Sequence, residues 1–162
     1  MATILGPPPQ AVRDDLGRLN TLLKVVPPKT AGDNLLIGTW NIRSFGSLTE
    51  KWESEDGDSP RRDFHAAVLI VAVLERFDVI APGLEKVPRT LCSSVEKPDL
   101  ASFFDQIAWF ERRKDGKPYL SSAFRQAAGP NFQGVVLQNL PRIQLSWRIS
   151  DHYPLWVEFG LN

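Results

Sequence analysis

The chain has 162 residues, enough for one domain of ordinary size, and is 43% hydrophobic and 23% charged, as a globular protein with a substantial core would be. Its 19 Lys and Arg balance 19 Asp and Glu, which argues against tight nonspecific binding to nucleic acid but leaves room for a local basic groove. Cys92 is the single cysteine, so an intramolecular disulfide and a multi-cysteine metal site are both excluded.

From the N-terminus, the first residues run into Pro7-Pro8-Pro9 and read as a loose lead-in. Val12, Leu16, Leu19, Leu22 and Leu23 recur at helical spacing, which predicts an amphipathic helix over 11–25. Pro27-Pro28 stops it, because proline has no N–H to donate and its ring clashes with the preceding turn. Lys29 to Asn34 is polar, so residues 1–33 are expected to form a leader with one helix, ahead of a domain spanning 34–162. Leu35-Leu36-Ile37-Gly38-Thr39-Trp40 is an apolar run of strand length, followed by Asn41-Ile42-Arg43 and a Gly/Ser-rich loop. Glu50 to Asp58 is acidic and reads as solvated. Ser59-Pro60 offers a cap and a first helical residue, predicting a helix from about Pro60 to Arg76. Phe77-Asp78-Val79-Ile80-Ala81 reads as a short buried strand, which completes a βαβ pattern.

Pro82-Gly83 breaks that pattern, and the chain stays irregular to Pro98. Residues 103–110 predict a strand, Lys114-Asp115-Gly116-Lys117 a turn, and Gly134 to Leu140 a further strand. Leu155-Trp156-Val157-Glu158-Phe159 alternates and predicts the last strand. Met1 to Leu5 lacks a basic n-region and a long apolar run, so no signal peptide is expected; with the lone cysteine this points to a reducing, cytoplasmic setting. The longest apolar run, Ala66 to Leu74, is too short to span a membrane.

Three segments, in this order, resemble the endonuclease/exonuclease/phosphatase superfamily of metal-dependent phosphoesterases. They are Leu36-Ile37-Gly38-Thr39-Trp40-Asn41-Ile42-Arg43, Phe104-Asp105-Gln106-Ile107-Ala108, and Ile149-Ser150-Asp151-His152-Tyr153-Pro154-Leu155. Arg76 to Ala81 also resembles the segment that succeeds the opening motif in that family, and the resemblance covers roughly residues 34–81 and 98–160. It implies an α/β fold built as a DNase-like four-layer sandwich, two mainly antiparallel or mixed sheets flanked by helices. It also implies roles: Asn41 and Asp151 as oxygen ligands of Mg²⁺ (or Mn²⁺), Asn41 also facing the substrate phosphate, Asp105 steadying the imidazole, and His152 as general base or transition-state stabiliser. The partner implied is a phosphate ester, nucleic acid among the candidates.

The chain departs from the family where the metal site should be completed. The family continues the strand ending at Ala81 into a Gln-Glu pair whose Glu is a principal metal ligand; here Pro82-Gly83-Leu84-Glu85 comes next, and Glu85 does not take over that role. A Gly-Asp-x-Asn motif is missing too, since Gly57-Asp58 runs into Ser59-Pro60. The simplest account is an internal deletion near 81/82, which leaves an incomplete sandwich. Two functional classes remain: a phosphoesterase or nuclease with weak or no activity in this short form, or a non-catalytic remnant or protein-binding module of the same fold. Uncovered sheet edges and apolar residues, Val68, Ile70, Val71, Val73 and Leu74 on the helix and Ile107, Trp109 and Phe110 beyond, predict self-association.

The remaining residues of note have plainer readings. Taken alone, His152 is a partly buried histidine in a polar turn; the flanking motif gives it the catalytic reading. Three successive residues, Ser150, Asp151 and His152, cannot work as a hydrolytic triad, which needs a chain of mutual hydrogen bonds. His65 reads as a helix-surface residue, and Glu53, Glu55, Asp56 and Asp58 as a solvated loop without EF-hand spacing. Arg61-Arg62 and Arg112-Arg113-Lys114 read as solubilising charge, with phosphate contact as the alternative. Trp40, Trp109, Trp147 and Trp156 read as core.

Overall fold

The computed structural model describes residues 6–42, 47–81 and 123–161. Within them the chain is mixed α/β, with one four-stranded sheet and three α-helices. A two-sheet, four-layer sandwich is the finer expectation, and the described residues carry a single sheet. Asp105, the strand expected over 103–110 and the turn at 114–117 lie outside the described residues.

Helix α1 (Gln10–Leu22) continues as a 3₁₀ turn (Leu23–Val25), followed by strand β1 (Asn34–Thr39), helix α2 (Phe64–Leu74) and strand β2 (Val79–Ala81). Strand β3 (Phe124–Ala128), helix α3 (Arg142–Arg148) and strand β4 (Leu155–Gly160) complete the set. The sheet order is β2-β1-β4-β3. β1 runs parallel to β2, with Ile37 opposite Val79, and antiparallel to β4, with Asn34 opposite Gly160 and Thr39 opposite Leu155. The βαβ pattern read from residues 35–81 is therefore present. Asp78 extends the β1/β2 pairing: its N–H donates to the Leu36 carbonyl and its carboxylate accepts from the Leu36 N–H, each at 2.9 Å.

One face of the sheet meets the helices. Leu36, Trp40 and Trp156 pack with Leu19, Leu23 and Val26 from the α1 end, Leu69, Ile70 and Val73 from α2, and Leu145 and Ile149 from the α3 end. Gly38 sits where this face is tightest: a Cβ there would fall 2.8 Å from the Phe77 ring, so only glycine lets that ring lie on the strand. α1, expected within a leader, is thus built into the same core. Its buried stripe, Val12, Asp15 and Leu19, includes a carboxylate. Asp15 accepts from the Leu137 N–H at 3.0 Å and from Arg18, and lies 3.0 Å from Nε2 of His65. His65 is consequently buried, not on the helix surface, because α1 covers the first turn of α2.

Several sequence expectations are corrected. α2 starts at Phe64, later than Pro60, because Asp63 and not Ser59 caps it: the Asp63 carboxylate accepts the Ala66 N–H at 2.9 Å. Gly134 to Leu140 is a run of turns and not a strand; Gly134 and Leu137 take φ of +71° and +47°, outside extended geometry, while Val136 and Leu137 still reach the core. Trp147 is 46% exposed, because it lies on the outer side of α3, whereas Trp40 and Trp156 are core as expected. On α2, Ile70 and Val73 are buried and Val71 is 48% exposed, so only part of that apolar helix is uncovered. β4 is buried along both faces, Glu158 included, whose carboxylate accepts from Asn34 and Gln126.

Two buried carboxylates make testable demands on stability. Asp63 is fully buried; besides its cap it accepts from the Ser54 N–H at 2.7 Å and pairs with Arg148. D63N keeps a capping oxygen but removes the charge that Arg148 faces, and breaking a buried ion pair costs about 3–5 kcal/mol. D63A should cost about 1 kcal/mol more by also losing the cap. Urea unfolding of both variants checks the size and the order. At the other end of the sheet, burial pushes the Glu158 carboxyl up, but hydrogen bonds from Asn34, Gln126 and Arg125 outweigh it and hold its pKa below the ordinary 4.5. A carboxyl lowered on folding stabilises fully above its unfolded pKa and loses that contribution as pH falls through the folded one. E158Q should therefore flatten the loss of stability as pH falls below the ordinary carboxyl value of 4.5, measured by thermal melts in acid.

Candidate functional site

The antiparallel register of β1 and β4 brings the two best motif fragments to one end of the sheet. Thr39 pairs with Leu155, so the chain leaving β1 through Trp40 and Asn41 runs beside the chain entering β4 through Asp151 and His152. Two hydrogen bonds staple them, and a third braces the turn itself. The Trp40 indole N–H donates to the His152 carbonyl at 2.8 Å. The Ser150 hydroxyl donates to the Asn41 carbonyl at 2.7 Å, and its oxygen accepts from the His152 N–H at 3.1 Å. Trp40 and Ser150 are buried, Asn41 is exposed, and Asp151 and His152 are half-buried. A rigid backbone thus presents three polar side chains at a surface.

The aromatic floor of this end is also defined. The Tyr153 ring packs edge-on against Phe132 at a centroid distance of 5.2 Å, and Phe132 lies 6.1 Å from Trp40. These rings are buried and give the turn at 150–153 an aromatic bed.

The turn is held from behind by charge. Arg62 is 3% exposed; its Nε donates to the Arg148 carbonyl at 3.0 Å and an Nη to the Ile149 carbonyl at 2.9 Å. These are carbonyls at the end of α3, which a helix leaves without internal partners. Burial holds the Arg62 guanidinium below its usual pKa, though its hydrogen bonds keep a cation useful at a helix C-terminus. Arg148 returns the contact by reaching Asp63 and, at 2.6 Å, the Ser54 carbonyl.

Of the expected site residues, Asn41, Asp151 and His152 share this end, and Asp105 lies outside the described residues. Oδ1 of Asp151 is 3.9 Å from Nε2 of His152, beyond hydrogen-bond length. Among the described residues no group of three or more His, Cys, Asp or Glu could hold a metal ion. The oxygen donors carried by these residues are the Asn41 amide and the Asp151 carboxylate, two groups of the hard-ligand type.

Sequence reasoning missed Ser150 as a structural link and Arg62 and Asp63 as the support. Asp63 was findable, as an Asp three residues ahead of a helical apolar run is a capping signal. Arg62 was not, because its partners lie more than eighty residues away.

S150A is expected to cost about 1–3 kcal/mol, since it strips a donor from the Asn41 carbonyl and an acceptor from the His152 N–H. In a ¹⁵N–¹H NMR spectrum the His152 amide signal should move, and the Asn41 side-chain amide with it, while those of β3 stay in place.

Among the described residues no helix is long and apolar enough to cross a membrane. The chain matches no protein-family model, no curated protein and no solved structure.

Proposed function

We propose that the chain is a short member of the endonuclease/exonuclease/phosphatase superfamily whose site binds a divalent cation and a phosphate ester and hydrolyses it slowly or not at all. The observation that carries this reading is the convergence of Asn41, Asp151 and His152 at one end of β1 and β4, held by the Ser150 and Trp40 hydrogen bonds.

In this reading Asn41 and Asp151 hold Mg²⁺ or Mn²⁺, which when bound offsets charge on the phosphoryl oxygens. His152 stands beside them as a side chain able to carry a proton at neutral pH, to take one from an attacking water or to steady developing negative charge. Asp105 is the residue assigned to orient that imidazole. The backbone contributes by keeping the three side chains in register while substrate arrives, which saves the entropy of assembling them. One carboxylate and one amide hold a dication weakly, and losing a single electrostatic stabiliser of a transition state costs ~10²–10³ in rate. Missing the family's Glu and its Gly-Asp-x-Asn motif, the chain is expected to have little turnover.

A second reading, a non-catalytic partner-binding module of the same fold, is favoured by a different feature. Leu48, Trp52, Phe64, Val68 and Val71 line a mainly apolar groove of about 750 Å³ along α2, away from the motif residues. Contiguous apolar surface of this kind marks association sites.

Mn²⁺ titration of labelled protein separates the two. Paramagnetic broadening confined to Asn41, Asp151 and His152, with bis-p-nitrophenyl phosphate hydrolysed barely above background, supports the phosphoesterase lineage. Fast hydrolysis lost in H152A would mean that another residue replaces the missing ligand. No broadening at these residues would sink the first reading and leave the second.

A further inference from the structure

We infer that Arg62 is a positioning residue for Asp151 and His152, an inference that rests on the phosphoesterase reading. Arg62 lies outside every motif that carries the resemblance, yet it is the charged side chain that fixes the backbone from which those two residues project. Its guanidinium is almost wholly buried, and it spends two N–H groups on the successive carbonyls of Arg148 and Ile149. The next residue is Ser150, whose hydroxyl bonds the Asn41 carbonyl and the His152 N–H. The path from Arg62 to the site is therefore one peptide unit and one side chain long.

Arg62 is itself anchored on both sides. Its carbonyl accepts the Thr49 N–H at 2.8 Å, and the adjacent Asp63 caps α2 and pairs with Arg148. The segments 49–54 and 61–63, the N-terminus of α2 and the C-terminus of α3 thus close on one another, with Arg62 at the point facing the site. A planar fork with several donors can span two neighbouring carbonyls at once; a lysine ammonium on the same stem is a point donor with no fixed plane. The role belongs to arginine geometry as much as to charge.

Outer residues that orient metal ligands typically change metal affinity by 10–100-fold when altered. R62K is therefore expected to stay folded and to weaken Mn²⁺ binding at Asn41 and Asp151 by about tenfold. Both are read from the Mn²⁺ broadening of the Asn41, Asp151 and His152 signals, together with a thermal melt. E158Q, which perturbs the far end of β4, is the control and should leave Mn²⁺ affinity at wild-type strength. If R62K does not fold, R62Q, which keeps a donor for one carbonyl and drops the charge, gives the same readout. Wild-type Mn²⁺ affinity in a folded Arg62 variant overturns the inference alone. An absence of Mn²⁺ effects in the wild-type protein overturns the phosphoesterase reading, and the inference with it.

Discussion

The buried clasp made by the Asp63–Arg148 ion pair and the Arg62 hydrogen bonds to the end of α3 is the constraint on which the rest of this structure depends. Asp63 is fully buried, and a carboxylate stripped of water is tolerable only when its oxygens are engaged. Two backbone N–H groups and a guanidinium engage them, and each belongs to a different part of the chain. The cap sets where α2 begins, the Ser54 contact folds the acidic loop back onto the helix, and the Arg148 pair draws in α3. Arg62 answers in the opposite direction by holding the end of α3. Because leaving any one of these charges unpaired is costly, the arrangement favours a single relative placement of loop, helix and turn.

A second polar fastening works at the opposite end of the sheet. Glu158, buried on β4, accepts from Asn34 at 2.8 Å and Gln126 at 2.9 Å and faces Arg125, which also pairs with Asp33. These side chains come from β1, β3 and β4 or from just before β1, so they lock three strands in register. Register matters here because a slip of one residue turns every side chain to the other face. Leu36 and Trp156 would leave the core, and Asn41 would no longer lie beside the turn at 150–152. Asp15 does the same work between helices, tying α1 to the turn at Leu137 and to His65 of α2. The apolar core supplies the bulk of the burial, and these polar contacts choose among the ways it could pack.

For function, the fold holds position well and donor count poorly. The motif residues Asn41, Asp151 and His152 come together through backbone register and short hydrogen bonds, which need no cofactor to form. What catalysis by a metal-dependent phosphoesterase would add is a denser set of oxygen ligands, and the described residues offer one carboxylate and one amide. The uncovered side of α2 and the exposed Val79 and Phe124 on the outer strands leave apolar surface in places distinct from those residues. The motif residues and the exposed apolar surface thus lie on separate parts of the molecule.

The sequence alone determined the elements whose information is local. The apolar run before Asn41, the body of the apolar helix, the short strand after it and the strand at 155–159 lie where their patterning put them. Tertiary structure decided the rest. α3 and β3 escaped notice because Arg142–Arg148 and Phe124–Ala128 are short and mostly polar outside, with too few apolar residues to show a period. The Val135-Val136-Leu137 run looked extended, yet two positive-φ residues fold it into turns that still bury it. His65 and Arg62 read as surface residues, and nothing local marks Asp15 or Glu158 as buried, because a charged side chain goes inside only when partners meet it there. Those partners, 50 to 124 residues away in the cases of His65 with Asp15 and Glu158 with Asn34, become neighbours only once the chain has folded.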